Sequence, residues 1–255
     1  MNALTRLRDV WKQVLLSQGG TVLLQKHMDL HTAEELERIV ISQARGEHDL
    51  KAGGEWWPEK QFRPRVHTIS RAYLVPGGRF FLNLIERAAV VYVDLEADDF
   101  IWRELIPPSP DGLQNFTISF EHIVDAPILT LHVAISIERR LPSFSNSSDE
   151  GSTSDEDYLP SVQEASIWRV YPQFDSQGII CGLQANRLSQ FRHSQEGVEA
   201  PVVKSIKLQG DHLVLAQKFT DSSLCSVIRW AAVDGLKINV PRKVVSHACC
   251  HVRCL

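Results

Sequence analysis

The stretch from Tyr73 to Leu95 alternates short apolar runs with turn residues, and it constrains the fold more than any other part of the chain. A first apolar run meets Pro76-Gly77-Gly78, a second covers residues 79–85, and a third covers residues 90–95. Apolar runs of this length between turn residues are typical of buried strands that are joined as antiparallel hairpins. The stretch therefore predicts a meander of at least three strands.

The same hairpin pattern recurs through the rest of the chain. Further strands are predicted at residues 116–120, 128–137, 166–174, 179–183, 204–208, 213–216, 225–233 and 236–240. The last two flank Asp234-Gly235, a dipeptide that favours a two-residue type I′ turn. A four-stranded propeller blade takes about 40–50 residues, so these strands correspond to about three blades. The expected fold class is mainly β, with partial β-propeller-like antiparallel blades preceded by a small α-helical region.

The first fifty residues have the periodicity of helices. Apolar residues at spacings of three and four place one set on a single face of a first helix: Leu4, Leu7, Trp11, Val14 and Leu15. A second helix is expected to begin at Thr32, where Thr32 and Glu35 form a capping box, and to end near Gly46.

A hinge separates the two kinds of periodicity. Residues 51–64 contain paired glycines, two prolines and the pair Trp56-Trp57. We place the boundary at residue 58, which gives a helical region at 1–58 and a β domain at 59–255. Trp56 and Trp57 are candidate partner-binding residues, because exposed indoles supply interface energy. The alternative is that they pack the helices onto the β domain.

An acidic, serine-rich insert interrupts the β domain at residues 142–164. It has no apolar periodicity and cannot bury enough surface to offset the entropy of ordering, so we expect disorder there. Ser147, Ser152 and Ser154 each precede an acidic residue by three positions, a pattern that acidophilic kinases accept. They are candidate phosphorylation sites. The alternative is a solvated loop that keeps the chain soluble.

Composition excludes several classes of protein. The net charge is −4 and no basic stripe exists, so nucleic acid is not an expected partner. No apolar run is long enough to cross a membrane, and the first twenty residues lack the apolar core of a secretory signal. Five cysteines without framework spacing fit a reducing compartment, so a cytoplasmic or nuclear location is expected.

No motif predicts an enzyme. The sequence lacks nucleophile-elbow, zinc-protease, phosphate-loop and dinucleotide-binding patterns, so no catalytic residue and no cofactor is assigned. The C-terminal segment 247–254 is rich in His and Cys, but a structural zinc site needs a second ligand pair farther along the chain. We therefore expect no metal there.

The order of features resembles the mushroom-type F-box proteins of fungi. The resemblance rests on LRDVWKQVL at 7–15, TAEELERIVISQA at 32–44 and RAYLVPGGRFFLNLIERAAVVYVDLE at 71–96, with Asp94 near the place of the WD-repeat dipeptide. In that family a helical F-box precedes a WD-repeat-like β-propeller. Only the tail of the F-box, Leu4 to Leu15, has a counterpart in this sequence.

The resemblance implies a substrate-recognition subunit of an F-box-type ubiquitin ligase. The helices would bind a Skp-type adaptor, and the propeller would bind a substrate protein. The expected function is thus a non-enzymatic protein-interaction module. Two alternatives stay open: an enzyme with a site in the propeller channel, and a truncated paralogue without independent function.

Overall fold

A computed structural model describes most of the chain. The described residues are 7–17, 24, 26, 28–51, 71–109, 113–124, 126, 128–140, 161–193, 202–218, 223–233 and 242–246.

Two helices come first, α1 (Arg8–Ser17) and α2 (Ala33–Lys51). The predicted capping box is confirmed: the Thr32 N–H donates to Glu35 Oε2 at 2.8 Å, and the Glu35 N–H donates to Thr32 Oγ1 at 3.2 Å. The predicted stop at Gly46 is wrong, because α2 continues to Lys51. An interior glycine costs a helix only about 1 kcal/mol, which does not suffice to end it.

Twelve strands follow among the described residues. They are β1 (Arg71–Leu74), β2 (Phe80–Leu84), β3 (Val90–Asp94), β4 (Arg103–Ile106), β5 (Leu113–His122), β6 (Leu131–Arg140), β7 (Ser161–Phe174), β8 (Ile180–His193), β9 (Val202–Gln209), β10 (His212–Lys218), β11 (Ser223–Arg229) and β12 (Arg242–Ser246). They form three antiparallel four-stranded sheets in which neighbours in the sequence are neighbours in space. The expectation of a mainly β fold is confirmed. The described strands do not close into a propeller or a barrel.

The three sheets stack face to face, with the second sheet in the middle. Side chains of β6 point alternately to the two neighbouring sheets. Leu131, Val133 and Ile135 belong to a first apolar cluster shared with the first sheet. Ala134, on the other face, belongs to a second cluster shared with the third sheet. Both faces of the middle sheet are therefore buried.

Strands in equivalent positions of adjacent sheets meet one another. On the first strands, Arg71 Nη1 donates to the Ile118 carbonyl at 3.1 Å, and Ser119 Oγ accepts from the Leu208 N–H at 3.1 Å. On the fourth strands, Arg103 Nη1 donates to the Cys181 carbonyl at 3.1 Å. The sheets are thus stacked in the same orientation.

The turns that the sequence predicted are present at three hairpins. Gly78 donates its N–H to the Val75 carbonyl at 2.9 Å. Asp175 Oδ1 accepts from the N–H groups of Gln177 and Ile179 at 2.8 and 2.9 Å. Gly210 adopts φ 57° in the β9–β10 turn.

Several boundaries differ from the predictions. Residues 161–164, assigned to the disordered insert, are the start of β7, where Gln163 and Glu164 are buried. Polar composition hid this strand, because its buried side chains pair with other polar groups rather than with apolar ones. Residues 230–232, predicted as strand, form a 3-10 turn. The sequence also missed β4 and β12, which are short and charged. The rest of the insert, the boundary at residue 58 and Asp234-Gly235 lie outside the described residues.

Candidate functional site

The predicted site residues are not in the part of the chain that the structure describes. Trp56, Trp57, Ser147, Ser152 and Ser154 all lie outside it. Their proposed roles stay predictions, and the described residues supply a different candidate surface.

An exposed apolar stripe runs along α1. Leu7 immediately precedes the helix and is 53% exposed, Val10 is 39% exposed, and Val14 is half-buried. Spacings of three and four residues put these side chains on one side of the helix. We call the two exposed side chains, Leu7 and Val10, the α1 stripe; Val14 packs against the small core between α1 and α2.

The neighbouring side of α1 packs against α2. Leu15 joins Leu36 and Val40 in a small core, with Trp11 packed against it. The sequence placed Leu7 on one face with Trp11, Val14 and Leu15; in the structure Leu15 is buried, whereas Leu7 is exposed. Helix α1 instead has adjacent buried and exposed apolar sides. The presence of Val10 three positions after Leu7 was the signal in the sequence for the second side.

Polar contacts fix α1 to the turn before α2. Arg8 Nε donates to the His31 carbonyl at 2.9 Å, and Arg8 Nη2 donates to the Met28 carbonyl at 3.3 Å. Lys12 forms an ion pair with Asp29. These bonds hold the helix with the α1 stripe turned away from the small core.

A buried histidine supports the same turn. His31 is 6% exposed, and one of its ring nitrogens, Nε2, is 3.1 Å from the Lys26 carbonyl. Burial lowers the pKa of His31. Glu35 lies beside it, and the hydrogen bond from Lys26 lowers the pKa of that carboxyl group. The imidazole is therefore held neutral in the middle of the helical region.

The helical region contacts the second sheet at one hairpin. Lys26 forms an isolated antiparallel bridge with Ile179, next to the β7–β8 turn. Leu30 occupies the space that a Cβ atom at Gly178 would fill. This contact orients the helices relative to the stacked sheets.

A second set of polar groups lies between the middle and third sheets. Glu121 and His132 are cross-strand partners on β5 and β6, and Arg169 is the partner of His132 on β7. Glu121 Oε1 accepts from the Gly210 N–H at 2.6 Å, and the His132 ring meets Trp230 edge to face at 5.4 Å. Burial, followed by the charge of Arg169, lowers the pKa of His132.

This polar set is built as a contact between sheets. One oxygen of Glu121 and Nδ1 of His132 are buried without a hydrogen-bond partner among the described residues. The neutral imidazole could accept or donate a proton, but no nucleophile is adjacent in the register among the described residues. Those residues also contain no group of three His, Cys, Asp or Glu side chains that could hold a metal ion.

Asp94 is the last residue of β3, and the sequence analysis placed it near the position of the WD-repeat dipeptide. Its carboxylate accepts from Arg79 Nη2 at 2.8 Å and from the Glu96 N–H at 3.0 Å. Arg79 Nη2 also donates to the Ile180 carbonyl of β8 at 3.1 Å. Asp94 therefore fixes the turn after β3 and, through Arg79, ties the first sheet to the second.

Comparison with known proteins leaves the family open. No protein-family model, no curated protein and no solved structure matches this chain. In the described part of the chain, neither helix has the length and apolar character needed to cross a bilayer.

Proposed function

We propose that this chain is a non-enzymatic protein-interaction module whose helical region binds a partner through the α1 stripe. The α1 stripe is the observation that carries this proposal. Both of its side chains, Leu7 and Val10, are exposed although the rest of the helix is fixed by packing and by ion pairs. Apolar anchors at spacings of three and four on one side of a helix are what a partner groove receives.

The distribution of exposed apolar residues supports the helical region as the part of the chain that binds a partner. Among the described residues, eleven large apolar side chains are exposed, and five of them belong to the helical region: Leu7, Val10, Leu16, Leu30 and Ile41. The β strands are far longer in total, yet they and their loops carry only the remaining six. Exposed apolar residues concentrated on a small unit are typical of an interaction surface.

The partner that the sequence resemblance suggests is a Skp-type adaptor with its cullin scaffold. The α1 stripe lies within the segment that resembles the F-box tail. The three sheets, stacked in the same orientation, support a propeller-like platform that would present a substrate protein. On this proposal the chain is a substrate receptor of a ubiquitin ligase.

Affinity purification from the native cells, followed by mass spectrometry, tests the proposal. The tagged chain should recover a Skp-type adaptor and a cullin. Leu7→Asp combined with Val10→Asp should abolish that recovery, because each carboxylate would be desolvated in the interface. The matched control is Ile101→Asp combined with Val124→Asp, at positions that are similarly exposed in the β region.

Two results would contradict the proposal. Recovery of neither adaptor nor cullin by a folded chain would refute the ligase role. Equal loss of recovery with the control variant would refute the assignment to the α1 stripe.

A further inference from the structure

The third sheet has a charge opposite to that of the rest of the protein. Its four strands contain no Asp or Glu and six basic residues: Lys204, Lys207, Lys218, Arg229, Arg242 and Lys243. The whole chain has a net charge of −4. Because these six residues contribute +6, the remainder of the chain carries a net charge of −10. Positive charge is segregated onto one sheet, and that sheet is the last in the stack.

One face of this sheet points away from the apolar clusters that the described residues form. Leu213 and Leu215 of β10 point into the second apolar cluster, toward the middle sheet. The alternate residues of β10 therefore occupy the opposite face. There Val214 is half-buried, and Lys218 is exposed.

The strand register extends this face across its neighbours. Val214 pairs with Lys207 on β9 and with Val227 on β11, so the three lie in one row. Lys207 is exposed and Val227 is half-buried. We call the outer side chains of these three strands the cationic face; its members are Val202, Ser205, Lys207, Gln209, His212, Val214, Ala216, Lys218, Ser223, Cys225, Val227 and Arg229.

The lysines of the cationic face have no charged or hydrogen-bonding partner among the residues that the structure describes. Arg229 Nε is 2.7 Å from Asp211 Oδ2, and His212 contacts the same carboxylate, so these two have a partner. Neither Lys207 nor Lys218 takes part in an ion pair or a side-chain hydrogen bond with the described residues. Two free ammonium groups thus flank a partly exposed apolar centre.

We propose that the cationic face binds an extended acidic segment of a partner protein, in which carboxylates alternate with apolar side chains. The carboxylates would pair with Lys207 and Lys218, and the apolar side chains would cover Val214 and Val227. In an extended strand alternate side chains share one face, which suits a sheet surface that is apolar at its centre and basic at its margin. This inference rests on the proposed function, because it names the class of substrate that the module would recognise.

Charge argues against a nucleic acid as the occupant. Binding to a duplex requires neutralisation of many phosphates over a long surface, typically about six to ten contacts. The cationic face offers two free lysines, and the rest of the chain is strongly negative. A short peptide contacts only the face itself and avoids most of that repulsion.

Fluorescence anisotropy with the purified chain tests the proposal directly. The probe is a short labelled peptide in which Glu alternates with Val, and the control peptide replaces each Glu with Lys. We expect the Glu–Val peptide to bind, and to bind more weakly as salt is raised past about 0.15 M. Lys207→Glu combined with Lys218→Glu should weaken binding by about tenfold or more.

A matched variant controls for total charge. Arg38→Glu combined with Arg187→Glu makes the same change in net charge at exposed positions away from the cationic face, and it should retain the affinity of the wild type. Thermal melts of both variants would verify folding, and Lys207→Gln provides a milder test at the same site.

Four results would overturn the inference. They are failure of the Glu–Val peptide to bind, equal weakening by both double variants, preferential binding of a duplex oligonucleotide, and a self-association that the lysine reversals abolish. The last would make a second copy of the chain the occupant. None of these assays involves the adaptor or the α1 stripe, so their failure is distinguishable from failure of the proposed function.

Discussion

At the scale of single residues, the Asp94–Arg79 pair is the clearest case of a side chain that holds distant parts of the protein together. Their side chains are 11% and 13% exposed, and the guanidinium also bonds to the Ile180 carbonyl. Removing one partner of a largely buried ion pair is costly, because the remaining charge is left buried without compensation. The pair therefore stabilises both the turn after β3 and the contact between the first two sheets.

We expect Asp94→Ala to lower the free energy of unfolding by about 2–4 kcal/mol, because it leaves Arg79 partly buried without its main partner. Glu96, at 3.6 Å from Arg79 Nε, would compensate in part. Thermal melts and urea titration would measure the loss. Asp98→Ala, at an exposed position in the same loop, should stay within about 0.5 kcal/mol of the wild type.

A double-mutant cycle isolates the pair itself. If Asp94 acts through Arg79, Asp94→Ala should cost little in an Arg79→Met background. A loss of equal size in both backgrounds would show that the carboxylate acts through the Glu96 amide alone.

At the scale of the elements, close packing between the first and second sheets depends on a glycine in β8. A Cβ atom added at Gly182 would be 2.5 Å from the Tyr92 hydroxyl oxygen, and 3.7 Å from Arg103 Nη1. Tyr92 belongs to the first apolar cluster and cannot move freely. The two sheets approach here more closely than a side chain at position 182 would permit.

We expect Gly182→Ala to destabilise the protein by about 1–3 kcal/mol through overpacking. Tyr92→Phe removes the hydroxyl group and should restore most of this loss in the double variant, as measured by thermal melts. Gly210→Ala is a useful contrast, since no atom lies within 4 Å of its added Cβ and only the positive φ opposes it. Absence of rescue by Tyr92→Phe would show that the close approach is not the cause.

Some of the helices, strands and turns could be predicted from the sequence alone, and others could not. Hairpins with glycine turns were predictable because a turn with positive φ is a local requirement, as at Gly178 and Gly210. The capping box at Thr32 is equally local. In contrast, the N-terminal third of β7 was missed because Gln163 and Glu164 are buried polar residues. Gln163 accepts a hydrogen bond at 3.2 Å from Nε2 of Gln217, which lies on the third sheet. The residues around Gln163 in the sequence cannot reveal a partner so far along the chain.

At the scale of the whole molecule, each of its two regions contains a histidine that is at least half-buried, His31 and His132. Burial lowers the pKa of His31 in the helical region and of His132 between the sheets. Each folded pKa is thus below the unfolded value of about 6.5. Unfolding takes up protons wherever the unfolded imidazole is protonated and the folded one is not.

The sign of the pH dependence follows. The contribution of these histidines to stability is fully present above about pH 6.5, and it is lost as the pH falls through the folded pKa values. We expect the melting temperature to fall between about pH 7.5 and pH 5.5. Combining His31→Gln with His132→Gln should reduce that slope, and an unchanged slope would assign the acid sensitivity to other groups.

The α1 stripe and the cationic face differ in how far the sequence could reveal them. The apolar periodicity of α1 was evident, but the sequence did not show which of those apolar residues α2 would cover, and Leu7 is left exposed. The basic residues of the third sheet are dispersed from 204 to 243 and were not evident as a patch in the sequence. They come together only when four strands pair in register.

Local sequence patterns were enough to specify the class of the fold, the antiparallel hairpins and the cap of the second helix, because turn geometry and side-chain alternation act over a few neighbouring residues. Which apolar residues are covered, which charges share a face and how the three sheets stack depend instead on tertiary packing. Those outcomes depend on contacts between residues far apart in the chain, such as Arg79 with Ile180 and Ser119 with Leu208. No local pattern encodes such pairs, since each exists only when packing brings its two members together.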